Sequence, residues 1–434
     1  MLSALLDAFR IPDLRQKLIF TGLMLVLFRF IAHVPVPGVN ISALERLFES
    51  NQFIGFLDLF SGGALSNFSI AAMGVYPYIT ASIIMQLMVP VIPQLTELSK
   101  EGESGRNRIN QYTHWLTIPL AAAQAYGTPQ LINANSPSGE RFIERFGFDV
   151  DPLGTLSIII TMVAGTMLLI WIGELITQYG IGNGISMIIF GGIVASLPTL
   201  ILRPLISGLN IGGLLVFAVV GIGTVASIVL VYEGQRRIPV QVAKRIRGNR
   251  MYGGQTTHIP LKVNSAGMIP LIFASSILIF PGTVAGYFLT SDNEMVQGIA
   301  RWVYEVFNLQ TSWLYWVMYF WLVVAFTFFY TVVIYQQQNI AENLQRQGGF
   351  IPGIRPGRPT AEYLYKVLTR ITLVGALFLG TIAILPFLVR SITNVQALTL
   401  QSTALLIVVG VALDTMRQLE SQLLMRHYRG FINR

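Results

Sequence analysis

Cysteine is absent from the 434-residue chain, which excludes disulfides, thiolate metal sites and cysteine nucleophiles together. Histidine is scarce: His33, His114, His258 and His427 stand far apart, and no His-Glu-x-x-His occurs, so an imidazole-bound metal centre lacks neighbouring ligands. No glycine-rich run leads into Lys-Ser or Lys-Thr, so the loop that cradles nucleotide phosphates is missing. The stretch "GESGRNR" at 102–108 has glycines and basic residues, but its spacing is that of a solvated turn. Charge itself is scarce: Lys, Arg, Asp and Glu make up 12% of the residues, about half the share in a soluble chain.

What fills the sequence instead is apolar, at 53% of residues. Ten windows are long and apolar enough to suggest membrane spans, at 18–34, 70–92, 115–131, 153–176, 185–202, 211–232, 266–289, 313–335, 371–389 and 397–413. The pattern predicts an all-α polytopic membrane protein of ten transmembrane helices, with no cleavable leader. The third window carries Thr117, Pro119, Gln124 and Gly127 and is expected to pack against protein more than lipid.

Basic residues resist translocation, so their distribution sets orientation. One side collects Arg10, Arg15 and Lys17, then Lys100, Arg106 and Arg108, then loops at 233–265 and 336–370, then the tail from Arg417. The other side has an acidic surplus, with Glu140, Glu144, Asp149 and Asp151 between the third and fourth windows. The basic side is assigned to the cytoplasm, which places both termini there. Five windows per half is an odd number, so halves at 1–202 and 203–434 enter the membrane in opposite senses, the topology of two inverted pseudo-repeats.

Ion-coupled transporters usually bury charge at mid-membrane, where its cost marks function. Here Arg29 and Glu174 lie near the edges of their windows, where the plain reading is snorkelling to the interface. A secondary transporter of a small solute therefore stands as the alternative function, and a scaffold for other membrane proteins as a third.

Six stretches, taken in order, carry a family pattern: "FSGGALS" at 60–66, "SIAAMGVYPYITASIIMQLM" at 69–88, "KEGESGRNRINQYT" at 100–113, "GIGNGIS" at 180–186, "HIPLKVNSAGMIP" at 258–270 and "FIPGIRPG" at 350–357. Over nearly its whole length the chain resembles the SecY/Sec61-alpha family of protein-conducting channels. The resemblance implies a clam-shell of two five-helix halves around an hourglass pore, located in the bacterial cytoplasmic membrane. It implies a channel that passes unfolded secretory polypeptides and releases apolar segments sideways into lipid, with no covalent step and no cofactor. SecE and SecG subunits, the SecA motor, the ribosome with its RNA, the nascent or preprotein chain and membrane lipid are the implied partners.

By the same resemblance, about 56–69 is the plug of the closed channel. Leu57, Leu59, Phe60, Ala64 and Leu65 want burial, while Gly62 and Gly63 let the chain bend and Asn67 ends the segment. The segment is too short to span, but non-spanning backbone is tolerated where it lines a protein-walled cavity. An ordinary re-entrant loop with no gating role is the lesser reading of the same residues.

The resemblance places the pore's aliphatic ring at Val75, Ile79, Ile189, Ile272 and Ile407, with valine at 75 where relatives often carry isoleucine. It places a lateral gate between the second and seventh windows, at Thr80 and Phe280; Pro270 and Pro281 are either bending points there or static kinks. Docking of ribosome or SecA falls to Arg236, Arg237, Lys244, Arg245, Arg247, Arg250, Arg355 and Arg358. Charge alone equally fits contact with anionic lipid or with the phosphates of RNA.

Overall fold

The computed structural model describes residues 9–40, 44, 58, 61–134, 142–143, 146–206, 211–242, 245–247, 250–252, 256–267, 269–288, 293–307, 313–338, 340–393 and 401–432. Of the expected site residues, Leu57, Leu59, Phe60 and Lys244 lie outside them. For Phe280, Arg245, Arg247 and Arg250 the described part is the backbone.

The chain is mostly helical, and each of the ten apolar windows falls on a helix. Those helices are α1 (Pro12–Ile31), α2 (Tyr76–Met88), α4 (Glu103–Ala134), α5 (Pro152–Tyr179), α6 (Gly184–Ile206), α7 (Ile211–Glu233), α8 (Ile269–Phe288), α10 (Trp313–Gln338), α12 (Arg358–Thr393) and α13 (Gln401–Ile432). Three others among the described residues are α3 (Pro93–Lys100), α9 (Glu294–Val306) and α11 (Ile340–Arg346). Among the described residues, Pro152–Tyr179, Trp313–Arg346 and Arg358–Leu385 are long and apolar enough to cross a membrane. The pair α2 and α3 makes a fourth if their 98° bend is counted within one span.

Proline chemistry sets several boundaries. Pro12, Pro77, Pro93 and Pro152 occupy the first turns of their helices, where a missing N–H costs nothing. Window 70–92 departs most from expectation, because residues 70–75 are turns and the helix fills only Tyr76–Met88. Gly74 takes a φ of +57°, a conformation that breaks a helix, and Ile92, ahead of Pro93, is extended at φ −97° and ψ 115°. Proline also lies inside α4, at Pro119 and Pro129, and inside α8, at Pro281, whereas Pro270 sits harmlessly in the first turn of α8.

The all-α expectation needs amending, since two small antiparallel sheets occupy the basic loops. Strand β1 (Gln235–Val242) pairs with β4 (Thr256–Lys262) on one edge and β5 (Gly349–Phe350) on the other, giving the order β4-β1-β5. A separate ribbon joins β2 (Arg245–Arg247) to β3 (Arg250–Tyr252). The cause is an alternation in "QRRIPVQV": Ile238 and Val240 point inward and are buried, while Arg237, Pro239 and Gln241 face out. That inner face packs with Leu261, Ile351, Leu364 and Val367, so the sheet sits on the first turns of α12.

The chain divides into two compact units. The first contains Met1–Leu214, Ser276–Tyr315 and Ile407–Arg434; the second contains Leu215–Ser275 and Trp316–Leu406. In the first, α1 packs on α5 and α6, α2 on α4, and α5 on both α4 and α6. Its core gathers Leu65, Phe68, Met73, Ala121, Ile158 and Met162. In the second, Phe273 of α8 meets Phe326 and Tyr330 of α10 edge to face, and Trp316 stacks on Phe387 of α12.

Apolar residues point outward as well as inward. On α1, Val26 and Phe30 are each 70% exposed, whereas Leu14 and Phe28 are almost wholly buried. A helix with an apolar outer face suits a solvent other than water.

Candidate pore and plug site

The segment expected as a plug is built into the first unit from both sides. Its described part is Asp58 and 61–69, mostly turns, with positive φ at Gly62 (+69°), Gly63 (+81°) and Phe68 (+40°). Ala64, Leu65 and Phe68 are buried, and Phe68 meets Phe142 edge to face with ring centroids 5.0 Å apart. Asp58 ties the turns together, its Oδ1 accepting from the backbone N–H of Leu65 (3.0 Å), that of Ser66 (2.9 Å) and the Ser61 hydroxyl (3.1 Å). Burial pushes the Asp58 carboxyl above the usual carboxylate range, while the donors of Ser66, Ser61 and Leu65 pull the other way.

Two contacts fix the segment against its neighbours. Gly62 lies backbone to backbone on Gly192 of α6: a Cβ added to Gly62 would stand 2.7 Å from the Gly192 Cα, and one added to Gly192 would come closer still. Only glycine at both places permits that approach. Arg29, near the end of α1, donates from Nη1 to the Gly62 carbonyl. Arg29 therefore has a protein partner, where the sequence suggested simple snorkelling. Gly192 lay unmarked inside an apolar window, with only its glycine identity as a signal.

Of the ring residues, Val75, Ile79, Ile189 and Ile407 belong to the first unit and all four are buried. Ile272 belongs to the second unit and is half-buried. Val75 is the residue capping α2, and its carbonyl accepts from the Ile79 N–H at 3.1 Å, so the two follow one another along a single helix edge. Ile189 stands three residues before Gly192 on α6, which puts it on the same helical face as the Gly62 contact. These four side chains therefore face protein and not the outer surface.

Along the expected lateral gate, the Thr80 hydroxyl donates to the Tyr76 carbonyl at 3.1 Å. The Tyr76 hydroxyl reaches the Ser276 carbonyl of α8 at 3.2 Å. Tyr76 is thus a direct tie between the second and seventh windows that sequence reasoning passed over. A tyrosine inside an apolar window gives no local sign of its partner.

The motif "GIGNGIS" is a packed corner. Gly182 has φ +89°, and its N–H donates to Gln418 Oε1 of α13 at 2.9 Å. The Ile181 N–H donates to the Thr21 hydroxyl of α1 at 3.1 Å, and the Gly184 N–H to the Thr177 hydroxyl at 2.8 Å. Nearby, Glu174 pairs with His114 Nε2 of α4 at 3.0 Å, and Tyr78 of α2 meets that imidazole edge to face. Glu174, the other charge assigned to snorkelling, is therefore partnered too.

The expected docking residues fall on the second unit. Arg236 and Arg237 are exposed on β1, opposite Leu261 and Pro260 of β4. Arg245, Arg247 and Arg250 lie in the β2–β3 ribbon. Arg355 is exposed in a turn shaped by Gly353 (φ +81°) and Gly357 (φ +99°), its carbonyl held by the Thr360 hydroxyl at 2.8 Å. Arg358 pairs with Glu362 one turn along α12 at 3.1 Å, an exposed pair that leaves its charge partly matched. Because β5 joins β1, the two basic loops form one folded piece.

The SecY family model matches residues 69–416. The chain is similar to the protein translocase subunit SecY of Halalkalibacterium halodurans, 46% identical with all of both chains covered. It is similar to that of Thermus thermophilus, 44% identical over 100% of this chain and 98% of the relative. Among solved structures it resembles a protein-conducting channel at TM-score 0.63 and 18% identity, covering 96% of each chain. It also resembles Sec61 in the canine ribosome-channel complex, at TM-score 0.59 and 17% identity, again over 96% of each. These structures share the fold, and the relatives, alike from end to end, share the sequence: the chain belongs to the SecY family.

Proposed function

We infer that this chain is the channel subunit of a bacterial protein translocase: it passes unfolded secretory polypeptides across the cytoplasmic membrane and releases sufficiently apolar segments sideways into lipid. The observation that carries the reading is end-to-end identity of more than two residues in five with proteins named as translocase subunits. The chain acts as a passage and makes or breaks no covalent bond.

Ten transmembrane helices form two inverted pseudo-repeats, 1–202 and 203–434, around an hourglass pore, with both termini in the cytoplasm. Val75, Ile79, Ile189, Ile272 and Ile407 make the narrow aliphatic ring. Such a collar holds water poorly and stops ions by dewetting, yet its flexible side chains part around a threaded chain. The segment at 56–69 is the plug, seated through Gly62 on Gly192 and tied by Arg29; burial of its apolar residues supports this. Thr80 and Phe280 flank the lateral gate, through which a segment leaves when lipid suits its side chains and its own helix satisfies its peptide groups. SecE and SecG complete the assembly. The ribosome or SecA docks on Arg236, Arg237, Arg355 and their neighbours and supplies the energy.

A photo-crosslinking amino acid at position 79 or 189 tests this directly, with a secretory chain stalled during export. Adducts at both positions and none at exposed Val26 are expected. Adducts confined to Val26, or absent from 79 and 189, would sink the reading.

A further inference from the structure

Helix α9, Glu294–Val306, takes no part in the function argued so far, and its surface is divided three ways. Met295, Ile299 and Trp302 recur at helical spacing and are exposed at 76%, 60% and 64%. The next stripe, Glu294, Gly298, Arg301 and Glu305, is exposed and polar. The third, Ala300 with Val296, Val303 and Tyr304, is buried or half-buried against protein. A helix wholly in water has no use for the first stripe, and a helix wholly in hydrocarbon has none for the second.

Its position in the chain says what covers the apolar stripe. In chain order the helix links α8 to α10, both apolar over their length, joining the ends of these two helices that do not lead into the basic loops. Exposed apolar residues stand on the helices at both ends, Phe288 closing α8 and Trp313 and Leu314 opening α10, so the stripe has the same apolar exposure as the two helices it joins. Trp302 has the amphipathic ring that favours the headgroup level. Three side chains on a convex helix also fall far short of the ~1,200 Å² that a stable protein interface buries.

We propose that α9 lies flat in the outer membrane–water interface, with Met295, Ile299 and Trp302 immersed at the boundary of headgroups and acyl chains. Its charge comprises one arginine against two glutamates, so binding depends on apolar burial and not on anionic lipid. The anchor acts on α8, because Phe307, which ends α9, packs beside Gly282, the residue after the internal Pro281. An in-plane float fixed at that point resists tilting of α8 out of the membrane and leaves sideways movement free, as a lateral gate requires. The proposal rests on reading α8 and α10 as membrane spans.

The natural absence of cysteine makes the test clean. Single cysteines replacing Met295, Ile299, Trp302, Gly298 or Glu305 in the full chain are labelled with a nitroxide in phosphatidylcholine vesicles, with and without phosphatidylglycerol. Collisions with oxygen are then compared with those of a water-soluble nickel chelate. Labels at 295, 299 and 302 are expected to favour oxygen several-fold over those at 298 and 305, and the anionic lipid is expected to leave the values unchanged. Nickel dominating at 295, 299 and 302 would overturn the proposal, as would shielding from both reagents, the mark of a covering protein. A label at Val26 on α1 separates the two readings: water there sinks the spans themselves, whereas lipid at 26 with water at 295, 299 and 302 sinks only the floating helix. Met295 and Ile299 report independently of Trp302, so misfolding of one variant leaves the result decidable.

Discussion

At the scale of single residues, the site depends on two glycines and one arginine. Gly192 is in the interior of α6, where alanine would strengthen the helix by about 1 kcal/mol through backbone entropy alone. Gly192→Ala should nevertheless unseat the Gly62 turn, because the new Cβ has nowhere to go. The expected outcome is a several-fold rise in ion conductance across planar bilayers; unchanged conductance would mean that the contact does not seat the segment. Arg29→Met removes the donor to the Gly62 carbonyl and should raise conductance less, since turn and packing remain. Both changes act through Gly62, so the double variant should leak less than the two single effects combined, a coupling that the four conductances measure.

The element that sequence reasoning misjudged is the pair of basic loops. Each was legible as a charged connection, but strand β5 is two residues long and gives no periodic signal, so nothing local revealed that the second loop completes a sheet begun by the first. This sheet separates two kinds of variant. Val240→Asp places a carboxylate in a fully buried position with no partner, at a cost of several kcal/mol, and should expose both loops to protease together. Arg355→Glu changes only an exposed side chain in a turn, so the proteolytic pattern should stay as it was while SecA-driven export slows several-fold. Export at the normal rate would remove Arg355 from the docking face.

For the molecule as a whole, a channel and a coupled transporter make opposite demands on charge within the membrane. The two charges near the window edges, Arg29 and Glu174, have protein partners, the Gly62 carbonyl and His114. Deleting 57–67 removes the Gly62 seat and the turns that Asp58 caps. In reconstituted vesicles it should raise passive ion leak several-fold and admit preproteins with defective signals, without creating saturable uptake of any small solute. A shortened chain with unchanged leak and signal requirement would argue against a plug.

The ten apolar windows, and the ends of them that carry basic loops, could be read from the sequence because apolar length and Lys/Arg bias are sums over neighbouring residues. It also carried the family pattern, in six stretches that each read locally. That Gly62 meets Gly192, that Arg29 and Glu174 are partnered, that Tyr76 bridges two helices and that the basic loops share one sheet emerged from the fold. Each of these is a pairing between residues far apart in the chain, and the hydrogen bond or close approach that makes it leaves no trace in the composition or periodicity of either partner's own segment.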